Sequence, residues 1–425
     1  MLSALGIAFL VVGLVVSIAL HEVGHLVPAK RFGVKVSEYF VGFGPTLWSR
    51  KRGETEYGVK AFPLGGYVRL LGMVPPGSAV KPLRIRGWMR DLIEDARAAS
   101  EAEIGEDDAR AFYHLAWWRK VIVMSGGPVV NLIIAVFLFT VVLSGIGVPV
   151  QTLTVRDTVA CVPVTDTFEC AAGDPASPAT LAGLEPGDTF VSVDGTAFDS
   201  WSDLTTYVAA RPGVPLDVVV DRDGALIDLA LTPAARERSS VDDASITETV
   251  GYMGVYSAQA RERQPLGTGA SLTGDYMGQT FVVIARLPQE LWHVSRAAVG
   301  LEERSNSSVM GLVGVGRAAG DVASSDASGV TWLDKFQQEL LLLAGLNLAL
   351  FVFNTIPLVP LDGGHIASAI WQAIKNGWAR SRHAARPAPV DVARMMPVAY
   401  GVFGILILMT LVLVYADIVA PVRVA

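Results

Sequence analysis

Long apolar runs alternate with longer, more polar stretches along this chain. Four runs are long enough to cross a bilayer, which takes about 20 apolar residues: 2–27, 120–147, 337–360 and 397–420. Each reads as a helix. After the first run, EYFVGFGPTLWSR and TEYGVKAFPLGGYVRLLGM carry strand-like patterns separated by turn residues, which predicts a β-hairpin over about 36–72. After the second come shorter strand-like segments, Leu216–Val220 and Leu226–Leu231 among them. The segment 276–300 is too polar to span, with Arg286, Glu290 and Arg296, and reads as an amphipathic helix on the outer membrane surface. His293 within it reads as a surface residue rather than a ligand. The acidic run 94–108 reads as a solvated helix or linker.

Composition agrees with several spans joined to soluble parts. Only 18% of the 425 residues are charged, and the mean hydropathy is +0.43, too apolar for an ordinary soluble protein. The net charge of −7 argues against nucleic acid as a partner. Arg outnumbers Lys, and Ala, Val and Gly are abundant, which reads as a GC-rich, bacterial genome. The first run lacks the basic start and small-residue cleavage site of a signal peptide.

Charge sets an orientation. Lys30, Arg31, Lys35, Arg50, Lys51, Arg52, Arg119 and Lys120 crowd the segment between the first two spans, and Lys375, Arg380, Arg382 and Arg386 the loop between the last two. The long segment 148–335 has no such cluster near its ends. Basic loops face the cytoplasm, so both termini and 148–335 are expected outside. Cys161 and Cys170 then fall in an oxidising compartment. Their spacing suits a disulfide across a hairpin, the alternative being two unpaired thiols.

The first span ends in His21-Glu-Val-Gly-His25. On a helix, residues four apart share a face, so His21 and His25 can grip one zinc ion, and Glu22 can act as general base. A pair of idle histidines on a soluble helix does not fit, since the preceding residues are uncharged and apolar. Zinc needs a third protein ligand, and Asp362 ends the third apolar run on the same expected side. A carboxylate at that depth is costly unless paired or bound to metal, the alternative being one solvated by headgroups. Pro357 and Pro360 break the helix before it. Asn354 suits a substrate carbonyl or oxyanion, or else an interhelical hydrogen bond. His365 is a competing ligand, left out because two histidines and one aspartate already leave a position open for catalysis.

These motifs resemble the site-2 protease family of intramembrane zinc metalloproteases, peptidase family M50, and within it the bacterial RseP group. The resemblance rests on HEVGH, on GPxxN at Gly127, Pro128 and Asn131, and on NxxPxxxLDGG ending at Gly364. It implies a single Zn2+ held by His21, His25 and Asp362, with Glu22 catalytic. The hairpin is implied to dip into the membrane and pair its free edge with an extended substrate, with matching positions Gly42, Phe43, Gly44, Gly65, Gly66 and Tyr67. An ordinary cytoplasmic hairpin is the alternative. AGLEPGD followed by a strand and VDG looks like a PDZ domain. Relatives with two such domains are known, and this chain shows one.

The expected fold is thus a polytopic α-helical membrane protein of four transmembrane helices, with a cytoplasmic-side membrane-associated β-hairpin and one extracytoplasmic PDZ-like α+β domain. Its segments are 1–30 with HEVGH, 31–119 with the hairpin, 120–147, the PDZ domain 148–255, a helical linker 256–335, 336–362 with LDGG, a cytoplasmic loop 363–396, and 397–425. The resemblance implies a monomer in the bacterial cell membrane that hydrolyses single-pass transmembrane substrates, such as anti-sigma factors or remnant signal peptides, after an upstream site-1-type protease. A membrane metal-binding protein and a non-proteolytic PDZ scaffold are the rival readings.

Overall fold

The computed structural model describes residues 2–83, 86–162, 170, 173–239, 247–305, 308–324, 331–385 and 387–422; Arg386 lies outside them. The chain divides into two compact units, Met1–Gly145 with Pro265–Ala425, and Ile146–Gln264.

The larger unit is built on helices. Four among the described residues are long and apolar enough to cross a membrane: Ala4–Arg31, Trp117–Ile146, Trp332–Thr355 and Val392–Val419. They correspond to α1 (Leu2–Arg31), α3 (Trp117–Thr140), α8 (Trp332–Thr355) and α10 (Met396–Val419). Between α1 and α3 come β1 (Val36–Arg52), β2 (Thr55–Leu70) and α2 (Trp88–Ile104). Before α8 come α6 (Thr268–Ala298) and α7 (Leu312–Ser324), and α9 (Asp362–Ser381) follows it. α1, α3 and α8 pack on one another. Glycines bring α1 and α3 unusually close: a Cβ on Gly24 would strike the backbone of Gly126, and the converse holds.

Several boundaries depart from the expectations. The third apolar helix stops at Thr355, and Asp362 begins a new helix instead of ending the old one. Pro357 and Pro360 prevent continuation, and the backbone turns through Leu358 N–H to Ile356 O at 2.7 Å and Leu361 N–H to Leu358 O at 2.9 Å. Much of the expected loop 363–396 is therefore α9. Nor does α6 lie alone on a surface, since it packs along α3, α8 and α10. The acidic stretch is not a fully solvated helix. It belongs largely to α2, which buries Ile93, Arg97 and Ser100 and pairs Arg97 with Asp391.

β1 and β2 form more than a simple hairpin. Glu38–Val41 pairs with Gly66–Arg69 running the opposite way. The same segment also pairs with Glu56–Val59, and those residues advance together, Glu38 with Glu56 through Val41 with Val59. Ser49–Arg52 closes the other side of Thr55–Gly58. Two long bent strands thus make four sheet segments, and Gly66–Arg69 is an outer one, paired on one side only among the described residues.

The smaller unit contains a five-stranded sheet in the order β6-β5-β4-β3-β9. Its strands are β3 (Val148–Thr158), β4 (Thr189–Val193), β5 (Leu216–Arg222), β6 (Ala225–Leu231) and β9 (Val255–Glu262), with a separate pair β7 (Ala234–Ser239) and β8 (Thr247–Tyr252). Helices α4 (Pro178–Ala182) and α5 (Trp201–Ala209) complete it around a core of Val155, Phe190, Trp201, Leu204, Leu216 and Val220. The expected linker began at 256, yet β9 pairs with β3 from Thr158–Val255 to Val148–Glu262 and belongs to the sheet. Cys161 and Cys170 are joined by a disulfide.

Candidate functional site

Three elements of the larger unit bring their polar residues to one point. His21 and His25 lie one turn apart on α1, with their Nε2 atoms 3.2 Å apart. Oδ2 of Asp362, at the start of α9, lies 3.4 Å from His21 Nε2 and 3.3 Å from His25 Nε2. Glu22, buried, sits next to this triangle. The approach of α3 requires glycine, because a Cβ on Gly127 would fall on the Nε2 atoms of both histidines. Gly363 and Gly364 likewise pack against the backbone of the 355–359 turn with no room for a Cβ, which fixes where α9 begins.

Hydrogen bonds define the ring states. His25 Nδ1 lies 2.8 Å from the Val123 carbonyl. A carbonyl only accepts, so Nδ1 carries the proton and Nε2 of the neutral ring presents a lone pair. His21 Nδ1 faces the Asn131 side-chain amide, with its nitrogen at 3.1 Å, while the buried Asn131 Oδ1 has no partner. Amide nitrogen and oxygen are interchangeable by a flip. Turning Oδ1 to a His21 Nδ1–H satisfies both groups and leaves the His21 Nε2 lone pair facing the centre. Oδ2 of Asp362 is buried and also lacks a hydrogen-bond donor. Three lone-pair atoms facing one another at 3.2–3.4 Å repel unless a cation joins them.

Zinc fits this set. Zn–N and Zn–O bonds of about 2.0–2.2 Å at tetrahedral angles separate ligand atoms by roughly 3.3–3.6 Å, close to the three separations here. Two histidines and a carboxylate, with the fourth position open, are a catalytic rather than a structural set. His21, His25 and Asp362 also form the single such group of histidine, cysteine or acid side chains among the described residues.

A cavity of about 420 Å³ opens on the triangle. Besides the three ligand candidates it is lined by Glu22, Gly65, Gly66, Tyr67, Asn354 and His365, whereas Gly42, Phe43 and Gly44, also singled out in the sequence, do not line it. Gly66 is pressed against Glu22: a Cβ there would lie 2.9 Å from Glu22 Cγ and 3.0 Å from the Phe40 carbonyl. Tyr39 O–H donates to Ala19 O at 2.8 Å and ties the sheet to α1. The interhelical hydrogen bond considered for Asn354 is made by Asn347 instead, whose amide donates to Ser17 Oγ at 3.0 Å. His365 lines the cavity but is not part of the triangle. His293 is exposed and pairs with Glu302 at 3.1 Å.

The sequence did not single out Asn131 and Gly127 for these particular roles. Their spacing of four residues, which puts both on one face of α3, is the signal that points to them.

A bundle of membrane-length helices that holds two histidines, an aspartate and an adjacent glutamate around one cavity defines a metallopeptidase-type site in a membrane-protein fold. The chain belongs to peptidase family M50, whose model matches residues 9–397. It is 32% identical over 440 residues to zinc metalloprotease Rip1 of Mycobacterium tuberculosis, covering 100% of this chain and 99% of that one. Identity to zinc metalloprotease Rip1 of Mycolicibacterium smegmatis is 31% over 436 residues, covering 99% of each. Metalloprotease MmpA of Caulobacter vibrioides is 27% identical over 367 residues, 84% of each chain.

Proposed function

We infer that this protein is a site-2-type zinc metalloendopeptidase that cuts peptide bonds within membrane-spanning substrates. One observation carries the reading: an otherwise unpartnered Asp362 oxygen facing two histidine Nε2 atoms, beside Glu22, within helices of membrane-crossing length.

Zinc bound by His21, His25 and Asp362 would supply Lewis acidity and bring the pKa of the attacking water toward ~7. Glu22 takes that water's proton and returns it to the leaving nitrogen. Asn354, free of protein hydrogen bonds among the described residues, is placed to hold the scissile carbonyl. A substrate helix hides its own amides and must unwind before attack. The outer segment Gly66–Arg69 offers replacement hydrogen bonds by strand addition, with Gly65, Gly66 and Tyr67 nearest the cavity. The exposed tip of the same sheet, with Phe43, Leu47, Trp48 and Phe62, suits contact with lipid.

Orientation follows from charge. Both termini and the smaller unit are extracytoplasmic, and the site opens toward the cytoplasm. The smaller unit is PDZ-like and gates or captures substrates already shortened outside by a site-1-type protease. Anti-sigma-factor-like proteins and leftover signal peptides are the substrate classes, and the enzyme works as a monomer in a bacterial cell membrane. A metal store or scaffold would have no use for the buried Glu22.

The test is cleavage of a single-pass model substrate in proteoliposomes. A zinc chelator should abolish cleavage, and zinc should restore it. Cleavage indifferent to the chelator would overturn the reading.

A further inference from the structure

α9 carries an exposed apolar stripe. Ile370, Trp371, Ile374 and Trp378 are 45%, 55%, 55% and 61% exposed. Steps of one, three and four residues put them on one face, about a third of the helix circumference. α9 packs on α3, and Ser368, Ala369 and Gln372 are buried.

Position and charge say what meets the stripe. A groove of about 550 Å³ joins α9, at Gly377 and Arg380, to Trp117 and Trp118 at the start of α3. α3 is one of the membrane-length helices, so its first residues lie at the bilayer surface, where tryptophan is favoured. Gly377 and Ala379, which flank Trp378 in the chain, line that groove, so the C-terminal end of the α9 stripe lies at the same level. Cations gather at this end of it: Arg382 stacks on Trp378 at 4.4 Å, Arg119 stacks on Trp118 at 5.1 Å, and Arg380 borders the groove. α3 has no acidic residue, and the acid of α9 is Asp362, at the far end of the helix. A helix with an apolar stripe flanked by arginines is built to lie in a membrane interface bearing negative charge.

We propose that α9 is an interfacial helix that docks on anionic phospholipid, sinking Trp371 and Trp378 among the acyl chains while Arg380 and Arg382 hold headgroup phosphates. Orientation by charge makes this the cytoplasmic leaflet. The helix starts with Asp362, so captured headgroups brace the element that presents this carboxylate. The proposal needs α3 to cross a bilayer and needs nothing from the cleavage reading.

The test uses the full-length protein in phosphatidylcholine bilayers containing phosphatidylglycerol, with either lipid brominated on its acyl chains. Brominated phosphatidylglycerol should quench tryptophan emission more strongly than brominated phosphatidylcholine. Arg380→Gln with Arg382→Gln should remove that preference, about fivefold per arginine for ~1 kcal/mol each. Trp371→Phe with Trp378→Phe should lower the quenchable fraction. Equal quenching by the two lipids in the wild type would overturn the proposal. So would a preference that survives loss of both arginines, or a stripe that neither lipid quenches because protein covers it. The readout is independent of peptide cleavage, so failure here and failure of the protease reading are distinguishable.

Discussion

Asn131 and Gly127 meet the same pair of imidazoles and do opposite things. Gly127 withholds a side chain so that α3 can touch both rings, while Asn131 reaches one ring and sets its tautomer. Such outer partners typically hold a factor of 10–100 in metal affinity. Asn131→Ala should therefore fold and lose roughly that factor in zinc affinity, read by competition with a chelator; unchanged affinity would remove Asn131 from the site. The candidate ligands were legible because HEVGH encodes a helical face in five letters. Asp362 was legible as a costly acid at the end of an apolar run. The role of Asn131 was not, because an isolated asparagine on an apolar helix looks the same whether it binds a ligand histidine, a substrate or a neighbouring helix. Asn347 and Asn354 illustrate the same ambiguity, since one bonds Ser17 and the other lines the cavity.

Elements were legible where hydrophobic periodicity is long, and less so where partners decide. The four apolar helices could be read from composition alone. The doubled register of β1 could not, because pairing to two segments at once leaves no mark in the alternation of one strand. The break between α8 and α9 was signalled by two prolines, but the apolar residues around them masked a new helix. α2 read as solvated because its charges dominate, yet Arg97 is buried against Asp391 at the approach to α10. Arg97→Ala leaves a buried carboxylate with Arg394 alone, at 2.9 Å. Breaking such a pair costs about 3–5 kcal/mol, toward the lower figure here, and should expose 88–104 to protease at lower denaturant. Unchanged protection would show that α2 is held by other contacts. In the smaller unit, Arg222 donates to both oxygens of the buried Asp188 at 2.7 Å and holds its carboxyl below the usual carboxylate range. A lowered native pKa stabilises above the unfolded value of about 3.9. That stability disappears as pH falls from there through the native pKa. Arg222→Leu should therefore destabilise β4 and β5 near neutrality, and the difference from wild type should shrink below about pH 4. Amide exchange in the intact protein checks this, and a difference independent of pH would count against it.

At the scale of the molecule, a candidate metal site is set among helices of membrane-crossing length, an arrangement that is costly unless it is functional. The arrangement is coherent if the substrate is itself a membrane helix: apolar helices bring it in, an open sheet edge receives it unwound, and His21, Glu22, His25 and Asp362 act on it in one cavity. The central claim is that Glu22 moves the proton while the histidines and Asp362 hold the metal. Glu22→Gln keeps shape and ligands and removes the base. The deciding measurement pairs zinc content with cleavage of a single-pass substrate by this variant in proteoliposomes. The account predicts one zinc per chain, as in the wild type, with cleavage lost. Cleavage undiminished in the zinc-loaded variant would contradict it.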